Sequence, residues 1–175
     1  MSGTETGTTK SQVMTALGKF ILSLVSCEVV QGLDNRVPMP KGDFIVMTPI
    51  LSPVLATNVS TFDAEQGTET LHRSTRYDVQ VDCYGAKASD RATLLSMMLR
   101  SEYACNAFAA SGYGVQPLYA EDPYQLPFVN AEAQYEERWS FTAALQFSPT
   151  VSTPMEFFDE AQIGLYEVDT TYPPE

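Results

Sequence analysis

Two alternating segments constrain the fold most strongly: RYDVQVDCYG at Arg76–Gly85 and WSFTAALQF at Trp139–Phe147. Successive side chains on a strand point to opposite faces, so Tyr77, Val79, Val81 and Cys83 share one face and Arg76, Asp78, Gln80, Asp82 and Tyr84 the other. In the later segment Trp139, Phe141, Ala143, Leu145 and Phe147 alternate with Ser140, Thr142, Ala144 and Gln146. Two strands roughly 30 Å long, each apolar on one face, predict neighbours in an antiparallel sheet whose apolar face needs a cover.

Helices supply that cover. Thr9 and Gln12 have capping-box spacing, and Val13, Leu17, Phe20, Ile21 and Leu24 recur on one helical face. A second helix is predicted over Arg91–Arg100, capped by Ser89 or Asp90, with Leu94, Leu95, Met98 and Leu99 on its apolar side. A shorter helix over Ser101–Ala110 ends at Gly112. Asp43–Leu51 reads as a strand whose Pro49 belongs at a strand end or a sheet edge, and Pro53–Asn58 extends the pairing beyond a kink. Ser60–Thr70, STFDAEQGTET, reads as a hairpin tip or exposed arm. Gln31–Gly42 and Glu121–Pro127 read as loops, Tyr113–Ala120 and Ile163–Val168 as short strands.

The expected architecture is therefore α+β, a mainly antiparallel β-sheet packed on one face by helices, in a single domain over residues 9–148. Residues 1–8, rich in Gly and Thr, are expected to be disordered. Residues 149–175 hold too few apolar side chains for a second domain. They carry enough aromatics, Phe157 and Phe158 among them, to dock on their own or a neighbouring subunit.

Composition matters chiefly through charge. Ten basic residues face 22 acidic ones, a net of −12, and residues 101–175 hold only Arg138 against twelve acids. Such a field repels nucleic-acid phosphates and anionic lipid. The three cysteines, Cys27, Cys83 and Cys105, lie too far apart in sequence for a C-x-x-C metal pair or a disulfide framework, and suit a reducing compartment. No carboxylates stand at calcium-loop spacing, so neither metal nor cofactor is expected. The single histidine, His72, would need Cys83 as a distant nucleophile to make a small cytosolic enzyme, and neither sits in a catalytic signature. Asp78 and Asp82 lie about 13 Å apart along a strand, a spacing that suits a row of charge better than an acid–base dyad.

Leu24–Cys27, LVSC, resembles the cleavage box of a lipoprotein lipidated at Cys27. Lys19 inside the apolar run and the absence of a basic leader count against it. Val13–Val25 also falls short of the ~20 residues that a membrane span requires.

The segment Asn35-Arg36-Val37-Pro38-Met39-Pro40, followed by Gly42–Pro49 (GDFIVMTP), resembles the lead-in to the first strand of the neck or tail terminator proteins of long-tailed bacteriophages. The run RYDVQVDCYGAKASDRA resembles the strand and helix start of the same family, and the likeness extends over about residues 10–148. It implies a virion protein without catalytic or cofactor sites. Six copies close into a ring that caps the tail tube, ends tail growth and joins the tail to head-completion proteins. The implied partners are other copies of the chain, the tail-tube protein, a head-completion or neck protein and a tail sheath, with DNA as non-specific cargo and no membrane. On this reading Asp78 and Asp82 face the lumen or a subunit boundary, and Phe62, Glu65, Phe157 and Phe158 reach adjacent subunits. A tail-tube or head-closure subunit is the nearest alternative.

Overall fold

The computed structural model describes residues 5–33, 40–129, 135–156 and 162–164. The first helix, α1 (Lys10–Leu24), begins where its capping box demands: the Thr9 side chain accepts from Gln12 N, and the Gln12 side chain reaches back to the Thr9 backbone. Two further helices lie between the two alternating segments, α2 (Ala88–Leu99) and α3 (Glu102–Ala110). The last is capped by Ser101, which accepts from Ala104 N.

Three strands carry the sheet. These are β3 (Phe44–Leu51), β6 (Thr75–Tyr84) and β11 (Arg138–Phe147). The alternating segments pair antiparallel along their whole length, from Arg138 opposite Tyr84 to Phe147 opposite Thr75. On the other side of β6, β3 pairs antiparallel from Phe44 opposite Tyr84, and its register shifts between Pro49 and Leu51. The sheet is completed by β2 (Glu28–Gln31), parallel to β3, and by β7 (Gln116–Ala120) at the far margin, in the order β2-β3-β6-β11-β7. A short β8 (Tyr124–Gln125) also pairs with β11, and β9 (Phe128–Val129) pairs with β10 (Tyr135–Glu136).

The core lies between this sheet and the helices. Tyr77, Val79, Val81, Cys83, Phe141, Ala143, Leu145 and Phe147 share one buried cluster with Val13, Leu17 and Ile21 of α1, Ala92 and Leu95 of α2, and Phe108 of α3. The α+β expectation and the face assignments of both strands hold. The phase of α2 differs from its periodicity. Ala88, Ala92, Leu95 and Leu99 face inward, Leu94 is exposed, and Ser89 and Asp90 lie inside the first turn behind the N-cap Lys87. Alanines allow the helix to sit close to the sheet, and hydropathy counting underrates them.

A second sheet grows out of the first. Past Pro53 the β3 path continues, with Arg76 N donating to Pro53 O and Leu55 N to Ser74 O. It then becomes β4 (Val59–Asp63), paired with β5 (Thr68–His72). On the other side β11 passes through Pro149 into β12 (Thr150–Pro154), which pairs with β5 and with β1 (Glu5–Thr6). Three body strands thus bend together into an arm ordered β1-β12-β5-β4. The expected hairpin at Ser60–Thr70 is its outer part. Pairing of β1 and β12 shows that residues on both sides of the 9–148 range join the arm. Of the strand expected at Ile163–Val168, residues 162–164 are irregular and 165–168 lie outside the described residues.

Candidate assembly surface

From sequence, Asp78 and Asp82 are expected on the face of β6 turned away from the core, toward the lumen or a subunit boundary. Within the single subunit both acids are buried on that face. Asp78 is 4% exposed and Asp82 3%. Asp78 receives both Nε and Nη2 of Arg76, at 2.7 and 2.6 Å. Asp82 accepts from Gln80 Nε2 at 3.0 and 2.9 Å, and from Nε and Nη2 of Arg138 at 3.1 and 3.0 Å. Arg76, Asp78, Gln80 and Asp82 meet because residues two apart on a strand are same-face neighbours. Arg138 joins them through the β11 register.

The ladder continues at both ends. Phe44 and Tyr84 stack with ring centroids 4.5 Å apart, and the Arg138 guanidinium lies 5.6 Å from the Tyr84 centroid. Burial is the main cause that raises the Tyr84 hydroxyl above its usual pKa; Arg138 opposes this and Asp82 adds to it. At the other end Gln146 Nε2 donates to Ser74 Oγ at 2.7 Å. Charges held this way are compensated, because each carboxylate has charge-assisted partners in place of water. The sequence held one signal for Arg138: it is the only basic residue after position 100 and opens the strand that matches β6.

The arm presents different chemistry. Phe62 is exposed on β4 opposite Glu69, and Glu65 lies in the exposed turn beyond it. That turn is tied by Asp63, whose Oδ1 accepts from the backbone N of Glu65 and Gln66 at 3.0 and 3.1 Å. Met155 N donates to Gly67 O, so the chain leaves β12 at the arm tip. Phe157 and Phe158 lie outside the described residues.

The residues considered for chemistry are separated. His72 lies in the arm, with Nε2 2.9 Å from Thr61 Oγ1, whereas Cys83 is wholly buried near the far end of β6. Burial pushes the Cys83 thiol up to about 12, and raises that of Cys27 as well. Since the thiolate is the reactive form, a raised pKa lowers reactivity at neutral pH. At pH 8, a maleimide-type reagent is expected to label exposed Cys105 first, Cys27 more slowly, and Cys83 only as the protein unfolds. Peptide mass spectrometry over a time course checks the order, and labelling of native Cys83 at the Cys105 rate would contradict it. Among the described residues no group of three His, Cys, Asp or Glu side chains comes together to hold a metal, and no helix is long and apolar enough to cross a membrane. Val13, Leu17 and Ile21, which precede the candidate lipidation box, are buried as core of α1.

The sequence model of the family described as phage neck terminator protein matches residues 11–169. The chain belongs to the phage neck terminator family. That match includes the NRVPMP and RYDVQVDCYG segments and most of the chain beyond residue 149. No curated protein matches the sequence. Among solved structures the chain is similar to the sheath/tube terminator of PVC, an extracellular contractile injection system, determined in the extended state by cryo-electron microscopy. The TM-score is 0.50 at 9% identity, which speaks for the fold alone. The likeness covers 97% of this chain but 65% of the other, so this chain spans about two thirds of that protein's length.

Proposed function

We propose that this protein is a structural component of the phage tail that closes into a ring, with six copies as the expected number. The ring caps the last layer of the tail tube, ends its growth and joins it to a head-completion or neck protein. Membership of the neck terminator family carries this reading. The architecture of the subunit supports it: a two-layer body fits a ring wall, and a four-stranded arm fits contacts beyond the body. The reading is non-catalytic. Two observations support this: His72 and Cys83 sit in separate parts of the fold, and Asp82 is engaged by Arg138 and Gln80.

DNA passes through the ring as cargo, repelled by the acid excess of residues 101–175, so that it slides without phosphate-by-phosphate binding. Asp78 and Asp82 enter this proposal as residues of the lumen or of a subunit boundary, held in a neutralised ladder. Phe62, Glu65, Phe157 and Phe158 enter it as arm and tail contacts to adjacent subunits or to the tube and sheath. The chain reaches the arm tip at Met155, whose N donates to Gly67 O, which supports an arm-side place for these contacts.

Electron microscopy of particles assembled without the protein tests the reading. Tails of abnormal length, or heads and tails left unjoined, are expected, and normal particles would refute it. A tail-tube subunit would polymerise into open tubes when purified, whereas a terminator stops at closed rings.

A further inference from the structure

Two exposed apolar surfaces lie on opposite margins of the main sheet. On one margin β2 ends at Gln31, so β3 beyond Met47 has no strand on its outer side among the described residues, and neither has β4. From Phe44 to Phe62 this path contains no charged residue, although the protein as a whole carries −12. Ile50, Leu51, Val54, Leu55 and Val59 along it are each 49–60% exposed. Five large side chains half in water expose on the order of 500 Å², in the upper part of the roughly 300–600 Å² of a typical monomer's largest patch and a large part of the roughly 800 Å² per partner in a standard interface.

The other margin is β7 and β8 with the outer side of α2. There Leu94, Met97, Leu118, Tyr119 and Tyr124 are 42–66% exposed. The two parts of this patch are joined by Arg100, one turn after Met97, whose guanidinium lies 5.0 Å from the Tyr119 ring centroid. Arg100 Nε also donates to Ala120 O at 2.6 Å, which locks the helix end to the strand.

We infer that the β3–β4 margin of one subunit packs against the α2–β7 margin of a second copy, head to tail. This rests on the ring reading above and names the surfaces that would make the ring. Copies with this net charge repel one another, and the uncharged strip is where approach is least opposed. Two different patches on opposite margins of one sheet make a heterologous contact, the kind that closes rings, whereas a single self-complementary patch makes a two-fold dimer. Pro49 and Pro53 on one margin and Pro117 on the other lack donors, so the contact is side-chain packing and not one continuous sheet.

The test uses the full chain and two double variants. Leu51→Glu with Val54→Glu spoils the first margin, and Met97→Glu with Leu118→Glu spoils the second. All four positions are at least 46% exposed, so folding should survive; far-UV circular dichroism and an unreactive Cys83 confirm it. Analytical ultracentrifugation is expected to show rings for the wild type and monomer for each variant alone. An equimolar mixture of the two should give heterodimers and nothing larger, because one intact junction remains per pair. Wild-type rings from either variant, or a mixture that stays monomeric, would overturn the head-to-tail assignment while leaving a ring reading intact. A wild type that never assembles would overturn the ring reading and this inference with it.

Discussion

Asp82→Ala is expected to destabilise the fold by about 3 kcal/mol, near the lower end of what breaking a buried ion pair costs. The carboxylate is 3% exposed and takes four hydrogen bonds, two from Gln80 and two from Arg138. Its removal leaves the Arg138 guanidinium, with a side chain 23% exposed, without its counter-charge in the sheet surface. Asp78→Ala should cost less, about 1 kcal/mol, because its partner Arg76 is 43% exposed and can turn to water. For a chain of this size 3 kcal/mol corresponds to a fall in Tm of about 9 °C. Urea unfolding of both variants measures the difference. Equal losses at the two positions would show that burial of the partner does not set the cost. Replacing Asp82 and Arg138 together by leucine should recover most of the loss, because a well-packed apolar pair can match a buried ion pair.

Phe108→Ala is expected to cost about 4 kcal/mol, in the range for truncating a buried aromatic side chain. Phe108 is 1% exposed, lies 5.2 Å from Phe20 between ring centroids, and is one of only two buried residues of α3, the other being Ala104. A groove lined by Ala16, Lys19, Phe20, Tyr103 and Ala107 already runs beside it, so truncation opens the core to that groove. Hydrogen exchange should rise in α3 before it rises in β6, since α3 is anchored by so little else. Leu22→Ala is the control: exposed on α1, it should change stability by less than about 0.5 kcal/mol. A large loss at Leu22 would contradict the inward phase of Leu17 and Ile21.

Much of the body was legible because its signals are local. The alternation of Arg76–Gly85 and Trp139–Phe147 places each side chain on the face where it is found, and the Thr9–Gln12 box starts α1 at Lys10. Pro53–Asn58 was readable as a continuation beyond a kink for the same reason. The short strands were harder. In β2, Glu28–Gln31 has too few residues for a period, and its parallel partner lies across a loop. In β12, Thr150–Pro154 is held by pairing to β5, and its own apolar content is small. The α2 phase was misread because Leu and Met outweigh Ala in a hydropathy count, while closeness to a sheet favours the small side chain.

The candidate assembly surface divides along the same line. Strand alternation alone puts Arg76, Asp78, Gln80 and Asp82 on one face, and the unequal spread of acids is written in the composition. Whether those carboxylates meet solvent depends on Arg138, 56 residues away from Asp82, and on the register that brings β11 alongside β6. Likewise the uncharged run from Phe44 to Phe62 is visible in the chain, but strand order decides that β3 beyond Met47 has no outer strand among the described residues and lies opposite a second apolar patch. Sequence by itself determined which side chains share a face, because that follows from the two-residue repeat of a strand. Only the tertiary structure decided which faces and edges are closed, because closure comes from distant segments whose pairing no local period encodes.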